Sequence, residues 1–253
     1  MSFGNQNDNL KTNPYAALAH SYSVPAAEAK VDDRVTFLRK TYLHLAGAVS
    51  LFIMLEVIIF TLFGDTINDK VLPMFAQGWT ARLVTFALFI GGSMLATKWA
   101  NSNTSMATQY MGLGLYVLVW TLFFIPIFAI ATTFYPDAIA TAAILTIATF
   151  GGLTASVFIT RADFSFLRSA LVFCSFAAIA VIVAGLVFNL PLFGLAFSGL
   201  MILLAAGYVL YDTSRVLHHY PTDKYVGASL ALFSGLAMLF YYILSFVMQM
   251  QQD

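Results

Sequence analysis

A bundle of seven transmembrane helices is the fold class this sequence predicts, and three observations predict it. Of 253 residues, 60% are hydrophobic and only 9% are charged, against about 25% charged in an ordinary soluble domain. Seven apolar runs follow one another, each long enough to cross a hydrocarbon core of about 30 Å at about 1.5 Å per residue. Between them stand residues that break helices.

The runs are legible in order. The chain opens with about 35 residues rich in Asn, Pro, Ser and Ala, without helical or strand periodicity, which reads as a flexible cytosolic tail (1–35) ahead of a membrane domain (36–253). Being polar, this opening does not resemble a secretory signal peptide, so targeting is expected to fall to the first membrane helix. That helix is expected at about Tyr42–Phe63, entered through Arg34, Arg39 and Lys40. The second covers about Ala81–Trp99, and the third about Ala107–Ala131 with Pro126 near its end. The fourth spans about Ala138–Thr160, the fifth about Phe166–Phe188, the sixth about Leu192–Arg215 and the seventh about Tyr225–Met250. Breaks are expected at Gly64-Asp65, Asn101-Ser102-Asn103, Pro136-Asp137, Asn189-Leu190-Pro191, where a tight outer hairpin is predicted, and Pro221-Thr222-Asp223.

The pairs Gly91-Gly92, Gly112/Gly114 and Gly151-Gly152, together with Ala205-Ala206-Gly207 and Ser234-Gly235, read as surfaces where helices approach closely. The single cysteine, Cys174, admits neither an internal disulfide nor a cysteine metal site and reads as a small buried hydrophobe. No internal repeat is evident.

Charge adds orientation and excludes partners. Twelve basic residues balance twelve acidic ones, so no global field exists to attract nucleic acid. Lys11, Lys30, Arg34, Arg39, Lys40, Lys98, Arg161, Arg168, Arg215 and Lys224 all fall on one side of the predicted topology, and only Lys70 and Arg82 on the other. Positively charged loops stay cytoplasmic. The amino terminus is therefore expected inside and the carboxyl terminus outside.

Ionisable groups within a bilayer are expensive and mark function by default. The candidates are His44 and Glu56 in the first helix, Arg82 at the start of the second, and Asp212 with Arg215 near the end of the sixth. An acid near a helix carboxyl end opposes the helix dipole, which makes Asp212 the most informative, either paired with Arg215 one turn on or acting in an ion pathway or in pH sensing. Glu56 is expected to pair with Arg82 across the first hairpin. It should lie toward the opposite membrane face from Asp212, so that the two carboxylates form no dyad. His44 reads as an interfacial, packed side chain. Phosphate-binding, zinc-protease and nucleophile motifs are lacking, and Tyr211-Asp212 has no following Gly-x-Gly-Asp, so no enzyme activity, cofactor or metal centre is expected.

Four stretches, FLRKTYLHLAGAV, FGGLTASVFITRADFSFLRSALVF, AGYVLYDTSRVLHHY and YVGASLALFSGLAMLFYYILSF, resemble the Bax inhibitor-1/YccA family over roughly residues 35–250. The resemblance implies a seven-helix bundle with the last helix central, in the inner (plasma) membrane. It implies either a pH-sensitive calcium leak linked to ion homeostasis and stress protection, or modulation of a membrane AAA protease, as in the YccA branch. The leak pattern has an acid in the sixth helix, matched by Asp212, and a second acid in the seventh, where this chain has Gly235. Partners expected on this basis are the lipid bilayer, calcium and a membrane AAA protease.

The charge asymmetry gives a topological prediction: a reporter fused at Met1 should be cytoplasmic and one fused after Asp253 extracytoplasmic. Both on one side would contradict an odd number of crossings.

Overall fold

The computed structural model describes residues 24–188 and 194–252. Among them seven helices are long and apolar enough to span a membrane: α1 (Val31–Thr66), α2 (Trp79–Ala100), α3 (Met106–Phe134), α4 (Ala138–Thr160), α5 (Leu167–Phe188), α6 (Leu195–His218) and α7 (Tyr225–Met250). The chain is a multi-pass membrane protein. The predicted hairpin at Asn189-Leu190-Pro191, and residues 1–23 of the predicted tail, lie outside the described residues.

Two boundaries differ from the sequence reading. Residues 24–35 do not behave as a free leader. The Ala26 and Ala27 amides donate to the carbonyls of Tyr220 and His218 at 2.9 and 3.2 Å, and the Thr222 amide donates back to Val24 at 3.2 Å. Ala26 is fully buried there, and α1 begins at Val31. At its far end α1 does not break at Gly64-Asp65. It continues through a π turn, Ile67–Val71, and a short helix, Leu72–Gln77, to the extended Gly78. Gly64 costs a helix only about 1 kcal/mol relative to Ala, and the carbonyls of Phe63 and Gly64 are both taken up by the Ile67 amide, so nothing forces a stop until Gly78.

Helix α7 is the central element. It packs against α1, α2, α3, α4 and α6, while α5 packs chiefly on α6 and α2. Its sequence suits that place, because apolar or small residues surround the whole helix rather than one stripe. Leu232, Phe233, Leu239 and Leu244 are almost completely buried. Phe233 meets Phe52 of α1 and Tyr116 of α3, and Phe240 stacks on Phe124 at 5.6 Å. Outward-facing side chains such as Leu88, Ile147, Ile159 and Phe173 supply the lipid-facing surface. Cys174 belongs to that surface rather than to the core, since its face of α5 has no neighbouring helix.

Small residues divide by neighbour. Gly112 of α3 lies directly on the backbone of α2 at Ala96 and Ala100, Gly92 faces Val119, and Gly207 faces Leu171. Gly91, Gly114, Gly151 and Gly152 have open space where a Cβ would stand, so the last pair is not a packing surface within this chain. A methyl at Gly112 would come within 2.7 Å of the Ala96 carbonyl oxygen and 2.8 Å of the Ala100 Cα, and backbone does not yield as a side-chain tip does. We therefore expect Gly112→Ala to lower stability by about 1–3 kcal/mol in detergent thermal unfolding, whereas Gly114→Ala should stay within about 0.5 kcal/mol of the native chain or gain. Equal melting of the two variants would refute the close α2–α3 contact.

Candidate functional site

The charged end of the bundle carries the densest polar chemistry. Asp212 is 8% exposed and sits one turn before Arg215 on α6, whose Nη1 reaches the Asp212 Oδ1 at 3.4 Å. The guanidinium also lies over the rings of Tyr211 and Tyr220, at 5.3 and 4.9 Å, so cation–π attraction shares it with the carboxylate. The pairing expected from the i, i+3 spacing is thus present, but long.

Residues adjoining this pair extend the network to the α4–α5 loop. Arg161 ends α4 in the left-handed region, at φ 52° and ψ 26°, a place usually given to Gly or Asn, and so turns the chain back toward α6. Asp163 Oδ1 then accepts from the Ser165 amide at 2.9 Å and from the Ser214 hydroxyl at 3.3 Å. His219 Nε2 donates to Asp163 Oδ2 at 3.0 Å, while the Ser214 Oγ accepts from the Phe164 amide at 2.9 Å. The Ser165 amide, aided by His219, holds the Asp163 carboxyl down at about 2. Asp163, Ser214 and His219 were not singled out as site residues in the sequence. The available signal was the short acidic turn in ITRADFSFL, two helices away from its partners in the chain.

Helix α6 runs antiparallel to α7. Val209 faces Gly235, with its Cγ2 at 3.2 Å from where a Cβ would be, and Ser198 meets Ser245 at 3.2 Å. The position to which the family pattern gives a second acid thus packs on Val209, one turn before Asp212. An acid there would meet the apolar Val209, one turn further into the bundle. The polar contact near that level is instead the Tyr116 hydroxyl donating to Ser234 Oγ at 2.8 Å.

The expected Glu56–Arg82 pair is not formed: both Glu56 carboxyl oxygens are buried without a hydrogen-bond partner. Glu56 continues the inward stripe Phe37, Thr41, Leu45, Ala48, Phe52 of α1. Arg82 lines a cavity of about 460 Å³ with Phe123, Pro126, Phe197, Tyr241 and Tyr242. Charge complementarity between neighbouring spans in the sequence does not fix which faces the two helices turn toward each other. Glu56 and Asp212 are also closer in depth than expected. Helices α1 and α7 run in the same direction, with His44 against Tyr225 and Phe52 against Phe233, so Glu56 lies at the level of Ala237. Asp212, three residues past Val209, lies at the level of Leu232, and five residues of helix separate the two levels by only about 8 Å.

His44 lies between the rings of Tyr110 and Tyr225; its Nδ1 donates to the Lys40 carbonyl at 2.7 Å, and its Nε2 meets the Tyr110 hydroxyl at 2.9 Å. Among the described residues, no three His, Cys, Asp or Glu side chains converge as metal ligands.

The depressed Asp163 value sets a stability window. A folded value below the ordinary 3.8 means that the ionised form is favoured by folding. The contribution is therefore fully present above about pH 4 and is lost as pH falls toward about 2. Since the Asp163 side chain is 44% exposed, the loss should stay below about 1 kcal/mol. Melting temperatures in detergent should fall less over that interval for Asp163→Asn than for the native chain, and identical slopes would show that Asp163 does not anchor the loop.

Comparison with known proteins agrees with this architecture. The model of the family described as "Inhibitor of apoptosis-promoting Bax1" matches residues 34–253. The mouse "Protein lifeguard 4" is 30% identical over 232 residues, covering 90% of each chain. "Bax inhibitor 1" of Schizosaccharomyces pombe is 31% identical over 128 residues, 49% of this chain and 47% of that one. The Escherichia coli K12 "Modulator of FtsH protease YccA" is 36% identical over 113 residues, 43% of this chain and 49% of that one. No solved structure matches. With a family model spanning nearly all of the membrane domain, the chain belongs to the Bax inhibitor family.

Proposed function

We propose that this protein is a cation leak pathway of the inner membrane, serving ion homeostasis under stress, with calcium as the cation its family resemblance implies. The observation that carries the reading is Asp212, a carboxylate buried beside the central helix with Arg215 as its resident cation. Arg215 is 38% exposed and has two aromatic faces to rest on, so it has somewhere to go when a cation takes its place at Asp212. Asp212 supplies the attraction and Arg215 the gate. Such a role is non-enzymatic, because it moves a cation without making or breaking a covalent bond. It also matches a site without a rigid metal cage, since conduction requires binding weak enough to release.

A second reading rests on a different observation, the 36% identity to a protein named as a modulator of the FtsH protease. Here the chain is a non-transporting regulatory partner of a membrane AAA protease, engaged through the residues ahead of α1.

Calcium flux into liposomes containing the purified chain separates the two. On the leak reading, Asp212→Asn lowers flux about tenfold, the equivalent of about 1.4 kcal/mol at the barrier, and Arg215→Ala raises it. Flux that is absent, or unchanged in Asp212→Asn, overturns the leak; copurification with a protease that is lost on deleting residues 1–23 then supports the partner reading.

A further inference from the structure

Glu56 is the second carboxylate in the core, and the leak reading gives it no task. It projects inward from α1, 6% exposed, with neither oxygen hydrogen-bonded. One turn to either side on the same face stand Phe52 and Phe60, and Phe128 of α3 touches both, at 6.3 and 6.2 Å. The carboxyl is thus seated beside an aromatic cluster. Opposite it on α7 is Ala237, 5% exposed. Helix α4, which packs on α7, carries Thr146, a buried hydroxyl also without a partner. The Tyr42–Phe158 contact sets the α1–α4 register and puts Thr146 within about one turn of Glu56 in depth.

A bare carboxylate here would forfeit its hydration with no donor in return, a cost of several kcal/mol, so a positive charge has to complete the site. A dehydrated calcium ion wants about six to eight oxygen ligands, and beside Phe52, Phe60, Phe128 and Ala237 it would find very few. A proton needs only one carboxyl oxygen and an acceptor for the resulting O–H, which the Thr146 hydroxyl is at the right depth to be. Other ionisable groups on the packed elements are Tyr110 and Tyr116 on α3, Tyr225, Tyr241 and Tyr242 on α7, and the exposed Asp69 and Lys70 of the π turn; Tyr110 and Tyr225 lie about three turns away beside His44, and α4 has none. Tyr116 is engaged with Ser234.

We propose that Glu56 is a proton-binding site in the membrane core, separate from the cation site at Asp212 and about 8 Å deeper in the bundle, so that the protein handles protons and metal cations on different carboxylates. The inference extends the leak reading but does not depend on it, because proton occupancy of Glu56 is measurable without flux.

The test is reaction of the full-length protein in liposomes with dicyclohexylcarbodiimide, an apolar electrophile that takes up the proton of a carboxylic acid and is then attacked by its oxygen, with the adduct located by peptide mass mapping. The expected result is an adduct on Glu56 whose yield falls at least fivefold from acidic to alkaline pH, is unaffected by calcium at fixed pH, and is lost in Glu56→Gln. Thr146→Val should shift the pH at which the yield falls. No adduct at Glu56 at any pH, a pH-independent yield, or protection by calcium would each overturn the proposal. Should Glu56→Gln fail to fold, the pH profile and calcium arm in the native chain still decide. An adduct with no calcium flux would leave Glu56 standing and remove only the leak.

Discussion

The antiparallel seam between α6 and α7 is the interaction on which the rest of the molecule depends. Hydrophobic burial does not drive helices together in lipid, where the surroundings are as apolar as the side chains; close packing and hydrogen bonds do. At one end of the seam Gln249 Nε2 donates to Ser198 Oγ at 2.8 Å and to the Ser245 carbonyl at 3.0 Å. In the middle, Gly235 lets α7 close on Val209. With the two helices fixed in this way, Asp212 has no choice of level, and the four other spans that touch α7 take their positions from it.

The loops at the charged end are tied back to the same pair. Lys224 donates to the Ser102 carbonyl at 2.9 Å and pairs with the Asn103 side chain, and Gly227 leaves room for the Asn101 amide oxygen. The α4–α5 loop is held by Ser214 and His219, and the chain ahead of α1 by His218 and Tyr220. Two connections that are remote in sequence thus meet at the end of α6, within a few residues of the Asp212–Arg215 pair, and a third, the α2–α3 loop, is tied to the start of α7.

How much of this was legible follows from the physics of each signal. The spans were, because twenty apolar residues between charged loops leave few alternatives; Ala138–Thr160 and Tyr225–Met250 run between the same residues in sequence and structure. Local pairing was as well, since Asp212 and Arg215 share a helix face by spacing alone. Rotation of one helix against another was not. The Glu56–Arg82 pair required knowing which face meets which, and apolarity all round a helix erases that information. Nor did the sequence mark the continuation of α1 past Gly64, because a glycine weakens a helix without specifying an end.

The backbone ladder that joins residues 24–27 to residues 218–222 also fixes how force enters the protein. A load on the chain ahead of Val24 does not run straight down the axis of α1. It is delivered first to the corner between α6 and α7, three residues past Arg215, and only after those few bonds part does it reach the bundle. The entry segment is mechanically a handle mounted on the α6–α7 corner rather than on α1.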